Sequence, residues 1–119
     1  MKVLERERSY ANERDAYLRF TEKKMTLLGI FDVPRLIDYD NELLVVEMAI
    51  VTPPYLLDFG KAYVDRSPPY TKEQLTESLE ECRQLFDTAD WPNVEEALLD
   101  LKLLGIVYLD IKPANIRMR

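Results

Sequence analysis

The sequence predicts a single domain of the α+β class, and three observations support that prediction. The chain has 119 residues, 47% of them hydrophobic, which suffices for one core of ordinary size but not for two. Apolar residues recur with helical spacing in three separate segments. Two aliphatic runs joined by a short turn are typical of an antiparallel hairpin, so we expect a small antiparallel sheet beside the helices.

Composition and charge exclude several functional classes. Acidic residues outnumber basic ones by 22 to 16, giving a formal net charge of −6, so nucleic acid is not an expected partner, although a local phosphate pocket remains compatible. The chain contains no histidine, which excludes catalysis by Ser-His or Cys-His pairs and metal ligation by histidine. The single cysteine, Cys82, fits a reducing compartment, and no apolar run is long enough to span a bilayer. We therefore expect a cytoplasmic protein with no membrane partner.

The first half of the chain predicts a strand followed by a helix. The stretch "MKVLE" has the composition of a short edge strand. Helical spacing then extends from Ser9 to about Leu28, and Gly29 is expected to end this helix. Glu13 lies within the apolar stripe of the helix. The stripe consists of Tyr10, Tyr17 and Phe20, with Ala16 beside it.

A hairpin and a long connection are predicted next. The runs "RLIDY" and "ELLVVEMAIV" are separated by the turn pair Asp40-Asn41 and indicate two antiparallel strands. Residues 52–70 contain two Pro-Pro pairs, at Pro53-Pro54 and Pro68-Pro69. Proline lacks the N–H that a central strand needs, so we expect one long connection without a helix or a central strand.

Two further helices are predicted in the second half. Thr71 and Gln74 form a capping-box pattern that begins the second helix. Asp90 and Pro92 indicate the start of the third helix, and Gly105 its end. The apolar stripe of the second helix is expected to be core: Leu75, Leu79, Cys82 and Phe86. Leucines surround most of the third helix, which therefore needs cover on several sides: Leu98, Leu99, Leu101, Leu103 and Leu104.

The strongest chemical pattern lies near the C-terminus. Asp110, Lys112 and Asn115 follow the spacing D-x-K-x-x-N, with Pro113 fixing the backbone between the lysine and the asparagine. A phosphotransferase uses these residue types because a carboxylate orients a hydroxyl proton, an ammonium group steadies the transferred phosphate, and an amide oxygen binds a metal ion. The alternative interpretation is an ordinary strand-to-loop turn with solvated polar residues.

The stretch "LLGIVYLDIKPANI" resembles the end of a long helix, a short strand and the catalytic loop of the eukaryotic-type Ser/Thr protein kinase family. The resemblance implies a catalytic aspartate at Asp110, a phosphate-contacting lysine at Lys112 and a metal-binding asparagine at Asn115. It also implies ATP and Mg²⁺ as cofactors.

The same family resemblance extends towards the N-terminus. "SYANERDAYLRF" is similar to the regulatory helix, with Glu13 as its ion-pairing glutamate, and "MKVLE" to the strand that carries the ATP-binding lysine, here Lys2. "DVPRLIDYDNELLVVEMAIV" is similar to the two strands before the hinge, with Val46 at the gatekeeper position. Glu47 to Ala49 would then meet adenine, so the implied nucleotide-binding residues are Lys2, Glu13, Glu47 and Ala49.

The resemblance divides the chain into three parts of one truncated kinase-like domain. Residues 1–51 correspond to N-lobe-like strands and a helix, residues 52–70 to the hinge connection, and residues 71–119 to C-lobe-like helices and the catalytic loop. The whole would be an α+β fold in which a small antiparallel sheet and an N-lobe helix are joined to two C-lobe-type helices.

Several family features are missing, and they argue for weak catalysis. Only three glycines are present, so no glycine-rich phosphate loop precedes Lys2. Tyr108 and Leu109 stand where a kinase usually has histidine and arginine, and no metal-binding aspartate follows Asn115. Because phosphoryl transfer depends on positioning and charge neutralisation, we expect an ATP-binding transferase that is weakly active or inactive alone, as in a pseudokinase.

The tripeptide Asp58-Phe59-Gly60 matches the metal-binding tripeptide of kinases, but it precedes the catalytic loop instead of following it. The favoured interpretation is a structural turn in which Leu56, Leu57 and Phe59 pack down, Asp58 accepts local backbone hydrogen bonds and Gly60 adopts an unusual dihedral. The rival interpretation is that Asp58 binds metal out of order, with Asp110 of a second chain.

Two alternatives stay open at this point. Glu13 either pairs with Lys2 or lies at the edge of the stripe and reaches water. The protein is either a kinase-like nucleotide binder and phosphotransferase or a non-catalytic, kinase-derived interaction module. The second function would involve a homodimer formed through the apolar third helix.

Overall fold

Three helices and a set of short strands make up the part of the chain that the computed structural model describes, residues 2–3 and 6–119. The helices are α1 (Glu7–Glu22), α2 (Lys72–Arg83) and α3 (Trp91–Leu103). The strands are β1 (Lys2–Val3), β2 (Leu27–Leu28), β3 (Phe31–Asp32), β4 (Leu36–Asp40), β5 (Val45–Met48), β6 (Tyr55–Leu56), β7 (Tyr63–Val64), β8 (Ile106–Val107) and β9 (Ile116–Arg117). The predicted α+β class is confirmed.

An antiparallel sheet with the order β1-β5-β4 contains the predicted hairpin. Strands β4 and β5 pair antiparallel across the Asp40-Asn41 turn, as expected. Strand β1 pairs with β5 so that Lys2 lies opposite Val46. The predicted edge strand is thus confirmed at Lys2 and Val3, while residues 1, 4 and 5 of that prediction lie outside the described residues.

A second sheet has the order β2-β3-β6-β9 and is mixed, because β3 and β6 run parallel while the other pairs run antiparallel. Strand β6 lies inside the sheet, so the prediction that residues 52–70 contain no central strand was wrong. The two prolines at positions 53–54 precede Tyr55 and do not interrupt the strand, whose own residues keep their N–H groups. Strand β7 also belongs to this segment and pairs with β8.

Helix α1 ends at Glu22, and the prediction that it reaches about Leu28 and stops at Gly29 was wrong. Lys24 has a left-handed backbone with a φ of 54°, and the N–H of Met25 donates to the carbonyl of Phe20 at 2.8 Å. This is the bonding of a Schellman helix end, with lysine where glycine is usual. Gly29 instead lies in the turn between β2 and β3.

The core is built around an aromatic cluster. Phe59 contacts Tyr17, Phe20 and Tyr108 edge to face, with ring centroids 5.2 to 5.4 Å apart. Helix α1 packs on β4, β5 and β7, while α3 packs on β2 and β8. The buried face of α3 consists of Trp91, Val94, Ala97 and Leu101. The cluster therefore joins α1 to the segment after β6 and to the strand region after α3.

Helix α2 begins with the predicted capping box. The N–H of Gln74 donates to Thr71 Oγ1 at 3.1 Å, and the N–H of Thr71 donates to Gln74 Oε1 at 2.9 Å. None of the residues of α2 is fully buried. Leu79 is exposed, and the rest of its stripe, Leu75, Cys82 and Phe86, is only half-buried, so the prediction that this stripe is core was wrong.

Helix α3 ends as predicted, because Gly105 follows its last turn with a φ of 80°. Of its leucines, Leu101 is fully buried, whereas Leu99 and Leu103 are exposed. Among the described residues, no helix is both long enough and apolar enough to cross a membrane.

Candidate functional site

The predicted ion pair between Lys2 and Glu13 is present. Lys2 Nζ lies 3.3 Å from Glu13 Oε1 and donates a hydrogen bond to Asp58 Oδ1 at 3.1 Å. The contact with Glu13 is an ion pair without hydrogen-bond alignment, since Oε1 has no hydrogen-bond partner within the described part of the chain. Glu13 is fully buried, so the alternative in which it reaches water is wrong.

Helix α1 and strand β1 bring these groups together. Strand β1 lies beside β5, and α1 packs on β5 and presents Glu13 to the end of Lys2. The other carboxylate oxygen of Glu13, Oε2, accepts a hydrogen bond of 2.7 Å from the N–H of Phe59. Glu13 therefore ties α1 both to Lys2 and to the tripeptide that contains Asp58.

The environment of Glu13 disfavours its charged form. Burial raises the pKa of the Glu13 carboxyl, the nearby Lys2 ammonium opposes that rise, and the Asp58 carboxylate adds to it. A buried carboxylate next to a second carboxylate is costly unless a cation compensates both. Lys2 is the cation that contacts both groups in the described structure.

Asp58 does not behave as the predicted structural turn requires. Its side chain accepts a hydrogen bond from Lys2, 56 positions away, and not from the local backbone. The left-handed dihedral belongs to Asp58, with a φ of 74°, and not to Gly60. Both particulars of that interpretation were wrong, whereas the expected burial of Leu56 and Phe59 is confirmed. A left-handed non-glycine residue is uncommon and requires support from its surroundings.

The predicted catalytic residues lie together in one loop. Asn115 Nδ2 donates to the carbonyl of Asp110 at 2.9 Å and to Asp110 Oδ2 at 3.0 Å. Lys112 Nζ lies 3.7 Å from Asp110 Oδ1. Asn115 is buried and Lys112 is exposed, so the alternative interpretation as a solvated turn fits Lys112 but not Asn115.

Strand pairing places the tripeptide beside this loop. Strand β6, which precedes Asp58, pairs antiparallel with β9, which follows Asn115. The N–H of Leu57 donates to the carbonyl of Asn115 at 3.0 Å, and the hydroxyl of Tyr108 donates to the carbonyl of Leu57 at 2.6 Å. The two segments are far apart in sequence but adjacent in space within a single chain, so a second chain is not needed to bring them together.

The carboxylates of Asp58 and Asp110 both influence the pKa of one buried phenol, that of Tyr108. Burial raises the pKa of Tyr108, and Asp58 and Asp110 raise it further through their charge. The ring of Tyr108 packs on Phe59. Each of these carboxylates also has a cation beside it, Lys2 for Asp58 and Lys112 for Asp110.

The predicted adenine contacts, Glu47 and Ala49, differ in whether their groups are free to bind a ligand. Ala49 follows β5, and its N–H donates to the carbonyl of Arg35 at 2.8 Å. Adenine could contact this N–H only if that bond opened. Glu47 is half-buried on β5, and the side chain of Val46 is fully buried.

A polar pocket of about 410 Å³ lies beside Asp110, and sequence reasoning did not identify it. We call it the α1 pocket, because α1 supplies three of its lining residues. Its lining residues are Arg8, Ser9, Asn12, Gly60, Lys61, Tyr63, Tyr70, Leu109 and Asp110. They come from four separate stretches of the chain, so no local motif could have predicted the pocket.

Within residues 2–3 and 6–119, no three acidic or cysteine side chains converge as a metal site. The oxygen groups in the adjoining segments are the carboxylates of Asp58 and Asp110 and the amide of Asn115. Asp58 is paired with Lys2, and Asp110 with Lys112 and Asn115. Hard oxygen ligands of this kind suit Mg²⁺, which needs only one or two protein carboxylates when phosphate oxygens and water complete its shell.

Comparisons with known proteins gave no relative. No protein-family model matches the chain, and neither a similar curated protein nor a similar solved structure was found.

Proposed function

We propose that this chain is a kinase-like domain that binds a magnesium–nucleotide complex and transfers phosphate slowly or not at all when alone. One observation supports the proposal above all others. Lys2 Nζ contacts both Glu13 and Asp58, and the strand that precedes Asp58 pairs with the strand that follows Asn115. A cation, two carboxylates and an amide thus lie in adjoining segments, a combination that suits phosphate chemistry.

Each residue has a role in this proposal. Lys2 contacts the nucleotide phosphates as a compact positive charge, and Glu13 keeps its ammonium group in place. Asp110 orients the hydroxyl proton of the acceptor, and Lys112 steadies the transferred phosphate. Glu47 and Ala49 remain the proposed adenine contacts. Adenine could bind the carbonyl of Ala49 while the hydrogen bond from the Ala49 N–H to the carbonyl of Arg35 stays intact.

Asp58 and Asn115 would hold the magnesium ion. When bound, the ion would neutralise negative charge on the phosphates and on the carboxylates near Tyr108. In this proposal Asp58 fulfils the role of the family's metal-binding aspartate although it precedes the catalytic loop in the chain. This position replaces the earlier idea that a second chain completes the site.

We expect weak catalysis from these 119 residues alone, because their three glycines, Gly29, Gly60 and Gly105, are far apart and form no glycine-rich loop among them. In these residues, therefore, no such loop supplies backbone N–H groups to enclose a transferred phosphate and stabilise its transition state. Nucleotide binding is therefore the primary expected activity, in a protein that we expect to be cytoplasmic.

A thermal-shift experiment tests nucleotide binding. Magnesium–ATP at millimolar concentration should raise the melting temperature of the chain, because a ligand that binds only the folded state stabilises it. Asp58→Asn should abolish the magnesium-dependent part of the shift. Asp38→Asn, at an exposed position on β4, is the matched control and should keep it. A wild-type chain without any shift would refute the proposal.

A second candidate function is supported by the exposed face of α3. Leu99 and Leu103 are 62% and 87% exposed and lie four residues apart, hence on one side of the helix. Exposed apolar side chains on one face are typical of association surfaces, which supports a homodimer formed through α3 as the alternative. Light scattering at micromolar concentration should then give a dimer mass for the wild-type chain and a monomer mass for Leu99→Glu/Leu103→Glu. A wild-type monomer would refute this candidate.

A further inference from the structure

Positive charge is concentrated at the α1 pocket although the chain as a whole carries a net charge of −6. The guanidinium carbons of Arg8 and Arg66 lie 5.8 and 5.2 Å from the centre of the Tyr63 ring. Lys61 lines the same pocket. Two cations, Arg8 and Lys61, thus line the cavity, and Arg66 contacts two of its other lining residues, Asn12 and Tyr63.

Neighbouring groups hold the two arginines in place. Arg66 donates a hydrogen bond to Asn12 Oδ1, and the buried Asn12 donates through Nδ2 to the carbonyl of Gly60 at 3.0 Å. The Tyr63 ring supports both arginines through cation–π contacts. Side chains held in this way lose less entropy when a ligand binds, so the pocket is preorganised.

In the described part of the chain, these positive charges have no carboxylate partner of their own. Within the described residues, none of Arg8, Lys61 and Arg66 forms an ion pair; the neighbouring carboxylate of Asp65 binds Arg19 instead. Like charges that share one aromatic ring repel each other, and an anion between them relieves that repulsion. Arg8 also lies in the first turn of α1, where the helix dipole adds partial positive charge.

Asp110 also lines the α1 pocket, with Lys112 Nζ 3.7 Å from Asp110 Oδ1. The lining therefore combines cations with a carboxylate suited to orienting a hydroxyl. A ligand that matches both kinds of group carries an anionic group and a hydroxyl group.

We propose that the α1 pocket binds the phosphate-acceptor substrate and that this substrate is a phosphate monoester that also bears a free hydroxyl. Phosphate is favoured over a carboxylate because a guanidinium and an ammonium group in the lining, with a second guanidinium group beside it, match the double charge and the several acceptor oxygens of phosphate. The existing phosphate binds at Arg8 and Lys61, next to Arg66, and the hydroxyl lies next to Asp110. The acceptor role rests on the proposed function, whereas phosphate binding itself does not.

The binding test uses the full chain without magnesium and without nucleotide. Inorganic phosphate and glycerol 3-phosphate, titrated separately, should shift the amide NMR signals of Lys61 and Tyr63, and uncharged glycerol should not. Arg8→Gln/Arg66→Gln should weaken both titrations by about tenfold or more, because each lost charge-assisted hydrogen bond is a large fraction of weak binding. Arg83→Gln, at an exposed position on α2, is the charge-matched control and should leave affinity unchanged.

Two outcomes would overturn the proposed phosphate binding. In the first, the amide signals of Lys61 and Tyr63 do not shift in the wild-type chain. In the second, Arg83→Gln weakens phosphate binding as much as the double variant does. If the double variant unfolds, Lys61→Gln replaces it, because this exposed side chain makes no hydrogen bond or ion pair in the described structure. The affinity of the Lys61→Gln variant for phosphate should fall several-fold, and an unchanged affinity would overturn the proposal. Asp110→Asn should tighten phosphate binding, since it removes a negative charge from the same cavity.

Comparing the two ligands separates this inference from the proposed function. Phosphate binding that depends on Arg8 and Arg66, without any magnesium–ATP binding, would support the pocket and refute the nucleotide site. Magnesium–ATP binding that depends on Asp58, without any phosphate signal at Lys61 and Tyr63, would refute the pocket alone.

Discussion

Helices α1 and α2 have similar apolar stripes in the sequence but very different surroundings in the structure. Helix α1 begins without a side-chain cap, yet it buries an aromatic face and the charged residue Glu13. Helix α2 has a complete capping box, yet none of its residues is fully buried. The comparison teaches that a cap specifies where a helix begins, whereas tertiary packing determines whether its stripe becomes core.

The same difference separates the functional half of the molecule from its periphery. The face of α1 contacts the aromatic cluster, Lys2 and the tripeptide at Asp58, so it organises the candidate site. Helix α2 lies between Tyr70 and the α2–α3 loop, and its side chains are exposed except for those of Leu75 and Cys82, which are half-buried. Substitutions on the two helices should therefore have unequal consequences.

The largest expected effect comes from Phe59, which is fully buried against α1. Phe59→Ala should lower the free energy of unfolding by about 3–5 kcal/mol, because it removes a large side chain and leaves a cavity. Leu79→Ala, at the exposed position of the α2 stripe, should change it by about 0.5 kcal/mol or less. Urea denaturation measures both values, and similar losses for the two variants would contradict the comparison.

A smaller effect is expected from the cap of α2. Thr71→Ala removes the side-chain acceptor for the N–H of Gln74 and should destabilise α2 by about 1 kcal/mol. Amide hydrogen exchange within residues 72–83 should then accelerate by about fivefold, since 1.4 kcal/mol corresponds to a factor of ten. The control is Thr88→Ala, at an exposed position beyond the helix. Equally accelerated amide hydrogen exchange in α1 would show that α2 does not open independently of α1.

A pH-dependent effect should distinguish the carboxylates of the two helices. The pKa of Glu13 in the folded chain is raised above its ordinary value of 4.5. At pH values between the ordinary and the raised pKa, the folded chain therefore binds more protons than the unfolded chain. Within that window Glu13 makes the protein less stable as the pH rises. Glu13→Gln should remove this contribution, so the stability of wild type minus that of the variant should decrease from acidic to neutral pH.

Urea denaturation at a series of pH values measures this difference. Glu77→Gln removes the same charge at an exposed position on α2 and is the matched control. A difference for Glu13→Gln that increases with pH would mean that the folded state favours the charged carboxylate, contrary to its burial.

Local signals explain what could be predicted from the sequence. The hairpin of β4 and β5, the capping box at Thr71 and the helix end at Gly105 depend on a few neighbouring residues, and all three were predicted correctly. The end of α1 was missed because Lys24 occupies a left-handed position where glycine is the usual signal. Strand β6 was missed because the prolines before it suggested a loop.

Long-range contacts explain what could not be predicted. The hydrogen bond between Lys2 and Asp58 joins positions 56 residues apart, and no local pattern specifies it. The ion pair of Lys2 with Glu13 was one of two alternatives that the sequence left open, whereas the contact of Lys2 with Asp58 was not predicted at all. The α1 pocket depends on contacts among residues from four stretches of the chain, which only the folded structure brings together.

The central claim is that Asp58 and Asn115 belong to one metal–nucleotide site within a single chain. Manganese can replace magnesium and broadens the NMR signals of nearby nuclei, so a titration with Mn²⁺ and ATP tests this claim directly. The account predicts simultaneous broadening of the amide signals of Phe59 and Ile116, while the amides of residues 72–83 on α2 remain sharp. Broadening on α2 alone, or at neither Phe59 nor Ile116, would contradict the account.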